Sequence, residues 1–158
     1  MTSYKIRKGR ISDIKQIQSL VNHYARQGLM IARSLNELYE NIRDFWVCES
    51  KGKVLGCSAV HISWENLVEI KSVAVDKSAV HKGIGRGLIK SCLAEAKHLG
   101  AKKVFVLTYI PEFFRRFGFR KIEHSSLPHK IWAECINCPK FPDCEEIALI
   151  KRIKNIAK

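Results

Sequence analysis

The stretch Glu69 to Leu88, EIKSVAVDKSAVHKGIGRGL, has the plainest chemical use in this chain. A strand-like run enters a polar loop, then glycines, then a helix start. That order offers an anion unpaired backbone N–H groups and the positive end of a helix dipole. Gly83 and Gly85 let the backbone approach a ligand without an intervening Cβ, and Lys82 and Arg86 add charge. The dinucleotide fingerprint GxGxxG with a later acidic partner is absent, as is the P-loop pattern GxxxxGK[ST]. Taken alone, Gly83-Ile84-Gly85 also fits a plain tight turn. Upstream, Glu69 sits mid-strand in an apolar run, where an unpaired carboxylate is costly. It reads either as a general base that deprotonates an amine or as an ion-pair partner of Lys71, which shares its face at period two. Arg33 follows the apolar run GLMIA and precedes a helix cap. A guanidinium there can hold a carboxylate with two hydrogen bonds. Lys71, Arg115 and Arg116 are secondary cations, each of which also reads as ordinary basic surface. Cys135-x2-Cys138-x5-Cys144, with His129 as a fourth ligand, would suit tetrahedral zinc. The spacing also suits a redox pair, or free thiols in an irregular loop with Pro139, Phe141 and Pro142.

Elements must hold these residues in place. The 158 residues fit one domain over 1–158, with a cysteine-rich segment at 128–145. At 46% hydrophobic and 27% charged the chain reads as soluble and globular, which excludes collagenous and disordered classes. No apolar run approaches the ~20 residues of a membrane helix. MTSYKIRKGR lacks the apolar stretch of a secretory signal, so the expected compartment is cytoplasmic. The net charge of +13 favours a polyanionic partner: a phosphate-rich ligand or nucleic acid, or else simply a solvated basic surface. No RNP-like aromatic motif or helix-turn-helix signature supports nucleic acid.

A strand is expected at Tyr4–Lys8. Ile11, Ile14, Ile17, Val21 and Tyr24 recur at helical spacing through Arg26, and Gly28 offers a stop. Ser34 followed by Glu37 is a capping-box pattern opening a short helix. Strands follow at Phe45–Glu49, Val54–Ser63 and Leu67–Val75. A helix begins at Gly83-Ile84-Gly85 and ends at Gly100. Val104–Leu107 reads as a buried strand, Pro111–Arg116 as a short helix leading into a strand after Gly118-Phe119, and Ile147–Ile150 as a last strand. The fold class is mixed α/β: an antiparallel meander, then a strand-helix-strand crossover.

From Tyr4 to Glu123 the chain resembles the GNAT superfamily of acyl-CoA-dependent N-acetyltransferases. Val80-His81-Lys82-Gly83-Ile84-Gly85 resembles its pyrophosphate loop, (Gln/Arg)-x-x-Gly-x-(Gly/Ala), with Val80 at the Gln/Arg position. Phe113–Phe119, FFRRFGF, resembles the family's FYxxxGF segment, with Phe114 where many members carry a thiolate-protonating tyrosine. The segments GLMIARSLNELYENIRDFWV, KVLGCSAVHISWENLVEIKSVAV and KKVFVLTYIPEFFRRFGF are similar to the short single-domain N-acetylglutamate synthases. The cues are Arg33-Ser34, Gly56-Cys57 and VLT followed by FFxxxGF. The resemblance implies a central mixed sheet flanked by helices, and direct acetyl transfer from acetyl-CoA to the α-amine of L-glutamate, the first step of arginine biosynthesis. It implies Glu69 as general base, and Val73, Ala74 and Val75 on the pantetheine arm and thioester. It further implies His81, Lys82, Gly83, Ile84, Gly85 and Arg86 at the pyrophosphate, and Arg33 on the acceptor, where Lys71 would be a second, supporting cation. Another amino acid, a small amine or a protein amine stays open as acceptor, although a polyamine would want an acidic pocket. A homodimer also stays open, no membrane partner is expected, and a basic nucleic-acid-binding domain is a distant alternative.

Overall fold

The computed structural model describes residues 3–128 and 146–154. The chain forms β1 (Lys5–Lys8), α1 (Ile14–Ala25), α2 (Leu35–Glu40), β2 (Phe45–Ser50), β3 (Lys53–Trp64) and β4 (Leu67–Val75). These are followed by α3 (Ile84–His98), β5 (Lys103–Thr108), α4 (Pro111–Arg115), β6 (Arg120–Lys121) and β7 (Ile147–Arg152). Hydrogen bonding between strands runs β1-β2-β3-β4-β5-β7-β6, a seven-stranded mixed sheet. The chain divides into two compact units, Met1–His61 with Ile70–Glu95, and Ile62–Glu69 with Ala96–Lys158.

In the first unit, β1 pairs antiparallel with β2 (Lys5 opposite Glu49) and β2 with β3 (Phe45 opposite Ala59). The β2–β3 turn is Lys51-Gly52, both left-handed at φ 50° and 78°, the geometry that matches the twist of a two-residue hairpin. Side chains alternate across these strands. Phe45, Val47, Cys57 and Ala59 join Ile14, Ile17, Leu20 and Val21 of α1 and Leu38 of α2 in one apolar cluster. Cys48 joins Ile84 and Leu88 of α3 in the other, with Trp46 and Leu55 packed against it. Ser34 caps α2 by accepting from the Glu37 amide at 3.1 Å, as the capping box predicts. Residue Ile11 departs from its expected place in the α1 stripe. It begins a 3-10 turn, Ile11–Asp13, and is 70% exposed. The turn is set by Asp13, whose carboxylate accepts from the Arg10 amide at 2.7 Å and from both terminal nitrogens of Arg7.

In the second unit, Leu67–Glu69 runs parallel to Lys103–Phe105, and β5 pairs antiparallel with β7 from Lys103 opposite Arg152 to Thr108 opposite Ile147. The parallel pair is the expected crossover, joined in sequence by α3. Leu67, Phe105, Leu127 and Ala148 form its apolar centre. The register places β7 between β5 and β6, an insertion no local pattern announces. Among the described residues, no helix is long and apolar enough to cross a membrane.

Candidate active site

The loop after β4 is built by its own side chains. Asp76 Oδ1 accepts from the Ser78 amide at 2.9 Å and from its hydroxyl, which closes a 3-10 turn over Lys77–Ala79. Those Ser78 hydrogen bonds hold the Asp76 carboxyl below its ordinary range. His81 and Gly83 then adopt left-handed φ of 63° and 80°, and the Tyr4 hydroxyl donates to the Lys82 carbonyl at 3.4 Å. Gly83 O accepts from the Gly87 amide, so α3 starts there. The amides of its first turn have no carbonyl within the helix to bond. His81, Lys82, Gly83 and Arg86 are exposed, whereas Ile84 is buried and anchors the turn. The arrangement offers amides, a dipole and cationic side chains to an anion.

Gly56 sets how close α3 can come. A Cβ there would lie 2.9 Å from Ile84 Cγ2, 3.0 Å from Leu88 Cδ1 and 3.3 Å from the Ala74 carbonyl. Before the loop, β4 is interrupted. Ser72 has φ 56°, a left-handed value that an L residue rarely holds inside a strand. Its carbonyl accepts from the Cys57 thiol at 3.3 Å. Val73 and Val75 are half-buried and Ala74 is buried. The Tyr24 hydroxyl donates to the Val75 carbonyl. Burial, then Asp76, pushes that phenol's pKa up.

Beside Ser72 lies a shallow cleft of about 310 Å3, counting the part open to solvent. Its polar lining is Arg33, Glu37, Asn41, Asp44, Lys71 and Ser72. Leu38, Phe45 and Ala59 supply the apolar part. Helix α1 fixes Arg33 through its backbone: the Arg33 amide donates to Asn22 Oδ1 at 3.1 Å, and Gln18 Nε2 donates to its carbonyl at 3.2 Å. The guanidinium donates from Nη1 to Glu37 Oε2 at 3.3 Å. Its Nε is buried and has no hydrogen-bond partner among the described residues. Asp44 pairs with His61 Nδ1 at 2.7 Å. Lys71 is half-buried and lines the same cleft. The two acceptor-side cations expected from sequence therefore share one cleft. The sequence marks Glu37 only as a capping residue and gives Asp44 no role, yet both line this cleft.

Glu69 lies in the second unit, buried at 9% exposure and opposite Phe105. In the same unit Phe114 is buried, its ring edge-on to Phe113 and Phe119 at 5.1 and 5.7 Å between centroids. It has no hydroxyl to give. His129, Cys135, Cys138 and Cys144 fall outside the described residues. Among the described residues, no group of three metal-ligating side chains comes together.

The model of the acetyltransferase (GNAT) domain family matches residues 41–121. The chain belongs to this family. GNAT membership makes it an N-acetyltransferase with acetyl-CoA as donor. It is 41% identical over 148 residues to an uncharacterized N-acetyltransferase of Chlorobaculum tepidum, covering 94% of this chain and 96% of the relative. It is 39% identical over 132 residues to an amino-acid acetyltransferase of Mycobacterium tuberculosis, covering 82% and 75%. Amino-acid acetyltransferases such as that of Vibrio cholerae match at 31% identity over 78% of this chain, which spans only 28% of their length. Among solved structures, Rv2747 from Mycobacterium tuberculosis in complex with CoA and NLQ superposes with a TM-score of 0.82 at 32% identity, covering 95% and 99%. The N-acetylglutamate synthase of Neisseria gonorrhoeae complexed with coenzyme A and N-acetyl-glutamate has a TM-score of 0.88 at 24% identity, covering 98% of this chain and 36% of that one. At that identity the likeness shows the fold. The acetyltransferase thus shares its architecture with structures holding the donor's product.

Proposed function

We propose that this acetyltransferase moves the acetyl group of acetyl-CoA to the α-amine of L-glutamate. The observation that carries the acceptor reading is Arg33, whose buried Nε lacks a partner among the described residues beside the half-buried Lys71. A buried donor wants an acceptor. A carboxylate meeting Arg33 along its Nε edge would supply one, and Lys71 adds a second cation for a dicarboxylate. The names of relatives support an amino acid as acceptor.

In the proposed reaction, the amides and cations of 81–86 hold the donor's pyrophosphate, and the backbone of 73–75 aligns the pantetheine arm. Glu69 takes a proton from the ammonium group, directly or through water. The free amine attacks the thioester carbon, the attacking nitrogen gives up its second proton to solvent, and the tetrahedral oxyanion collapses to the amide and the CoA thiolate. Phe114 cannot protonate that thiolate, so it leaves as the anion or takes a proton from another group or water.

A thiol-release assay with acetyl-CoA against L-amino acids and polyamines tests this. Turnover restricted to L-glutamate is expected, with Arg33→Ala raising the acceptor KM and Glu69→Gln lowering kcat. Turnover of a different amine, with L-glutamate inert, would overturn the acceptor assignment.

A further inference from the structure

Ser72 stands apart from the other left-handed residues. Lys51 and His81 lie in turns, where such backbone is ordinary, whereas Ser72 is inside β4 and buried. A non-glycine residue held there stores strain that its surroundings must maintain. At this reversal the Ser72 carbonyl accepts a hydrogen bond from a side chain of β3. Buried backbone groups need partners. The Cys57 sulfur meets two of them: the thiol donates to the Ser72 carbonyl at 3.3 Å, and the backbone of Ala74 hydrogen-bonds to the same sulfur. A thiol is one of the few small side chains that both donates and accepts. Burial, offset in part by the Ala74 contact, pushes its pKa up to about 12, so it stays an S–H donor. Lys71 and Ser72, at the reversal, line the cleft with Arg33.

We propose that Cys57 is a positioning residue of this acetyltransferase. Its thiol clamps the two sides of the β4 reversal and so fixes where Lys71 and Ser72 present themselves to the acceptor cleft. No nucleophilic or redox step is assigned to it. The proposal rests on the backbone geometry and stands whichever amino acid is the acceptor.

The test compares Cys57→Ala, Cys57→Ser and Cys92→Ala in the full chain. Cys92 is an equally buried thiol on α3 whose contact is the Ser58 hydroxyl at 2.9 Å and not the Ser72 carbonyl, so its truncation removes the same atom from the same unit and leaves the Cys57 thiol in place. Two readouts are taken: kinetics with whichever amino acid turns over fastest, and amide hydrogen exchange at Ser72–Ala74. Taking the thiol away from the Ser72 carbonyl is expected to raise acceptor KM by about tenfold in Cys57→Ala. Exchange at Ala74 is expected to accelerate by a similar factor. Cys57→Ser should recover most of both, and Cys92→Ala should lower thermal stability without either change. Equal effects of Cys57→Ala and Cys92→Ala on KM and exchange would overturn the proposal. So would a Cys57→Ser variant of native stability that stays as impaired as the alanine variant. If no amino acid turns over, the acceptor reading fails, and the exchange readout still decides for or against the clamp.

Discussion

Gly56→Ala is the sharpest way to ask whether α3 must sit where it does. The added methyl would meet the Ile84 and Leu88 side chains and the Ala74 carbonyl at 2.9, 3.0 and 3.3 Å. The first two distances are at or below the closest approach that carbon atoms tolerate, and the third atom belongs to rigid β4 backbone. Ile84 and Leu88 are 1% and 0% exposed, so neither side chain has an open rotamer to swing into. Overpacking of this kind costs about 1–3 kcal/mol. For a chain of this length that lowers Tm by roughly 3–10 °C. The strain is relieved most easily by moving the first turn of α3 outward, because Val80 to Gly83 just before it are exposed and form no regular element. That turn carries the anion-facing amides. The expected result is a folded enzyme whose KM for acetyl-CoA rises several-fold more than its acceptor KM. Calorimetry and a thiol-release assay titrated separately in each substrate read both quantities. A variant with lowered Tm and an unchanged acetyl-CoA KM would refute the link between α3 seating and donor binding.

Three further outcomes are expected. Gly83→Ala places a Cβ in open space, 3.9 Å from the Tyr4 hydroxyl, but forces an L residue to hold φ 80°, so stability should fall by about 1–2 kcal/mol with no packing defect; denaturant midpoints measure it. Asp13 is pulled two ways, by burial, which raises its pKa, and by Arg7 and Arg10, which win and hold it below the ordinary value. A depressed carboxyl stabilises the fold above its unfolded pKa, so that contribution is full near neutrality and fades as pH falls below about 4; Asp13→Asn should flatten that acid limb of a Tm–pH curve. Finally, burial pushes the thiols of Cys48 up to about 11 and of Cys57 and Cys92 to about 12. Peptide-resolved alkylation at neutral pH should leave these three unmodified until denaturant is added.

Local patterns carried much of this molecule into view. The stripe of Ile14, Ile17 and Val21 needs only helical periodicity, and Ser34 with Glu37 needs only a cap. Gly83 shows because its loop leads into a helix, a combination whose electrostatics are local. The reversal at Ser72 was hidden for the opposite reason. LVEIKSVAV alternates like any buried strand, and nothing in those nine residues demands a left-handed serine. What holds it there is a thiol fifteen positions upstream in sequence. The left-handed backbone of His81 was hidden as well, since histidine tolerates that conformation without requiring it. The cleft was half legible. Arg33 and Lys71 could be named as cations, but their meeting depends on tertiary packing, as do the carboxylates of Glu37 and Asp44 beside them. The place of β7 needed long-range pairing that no window of sequence contains.

That last placement bears on how the chain is made. β6 is hydrogen-bonded to β7, and β5 has β4 on one side and β7 on the other. During synthesis β5 and β6 emerge well before Ile147. Until then β6 has no strand to join and β5 shows an open row of amides and carbonyls along a valine- and phenylalanine-rich segment. At ribosomal speed that interval lasts seconds, long compared with strand collapse. The nascent chain therefore passes through a stage in which the strand it is waiting for could be replaced by one from a neighbouring polysome product. A chain cut short before Ile147 would remain at that stage permanently, and inclusion-body formation would be its signature.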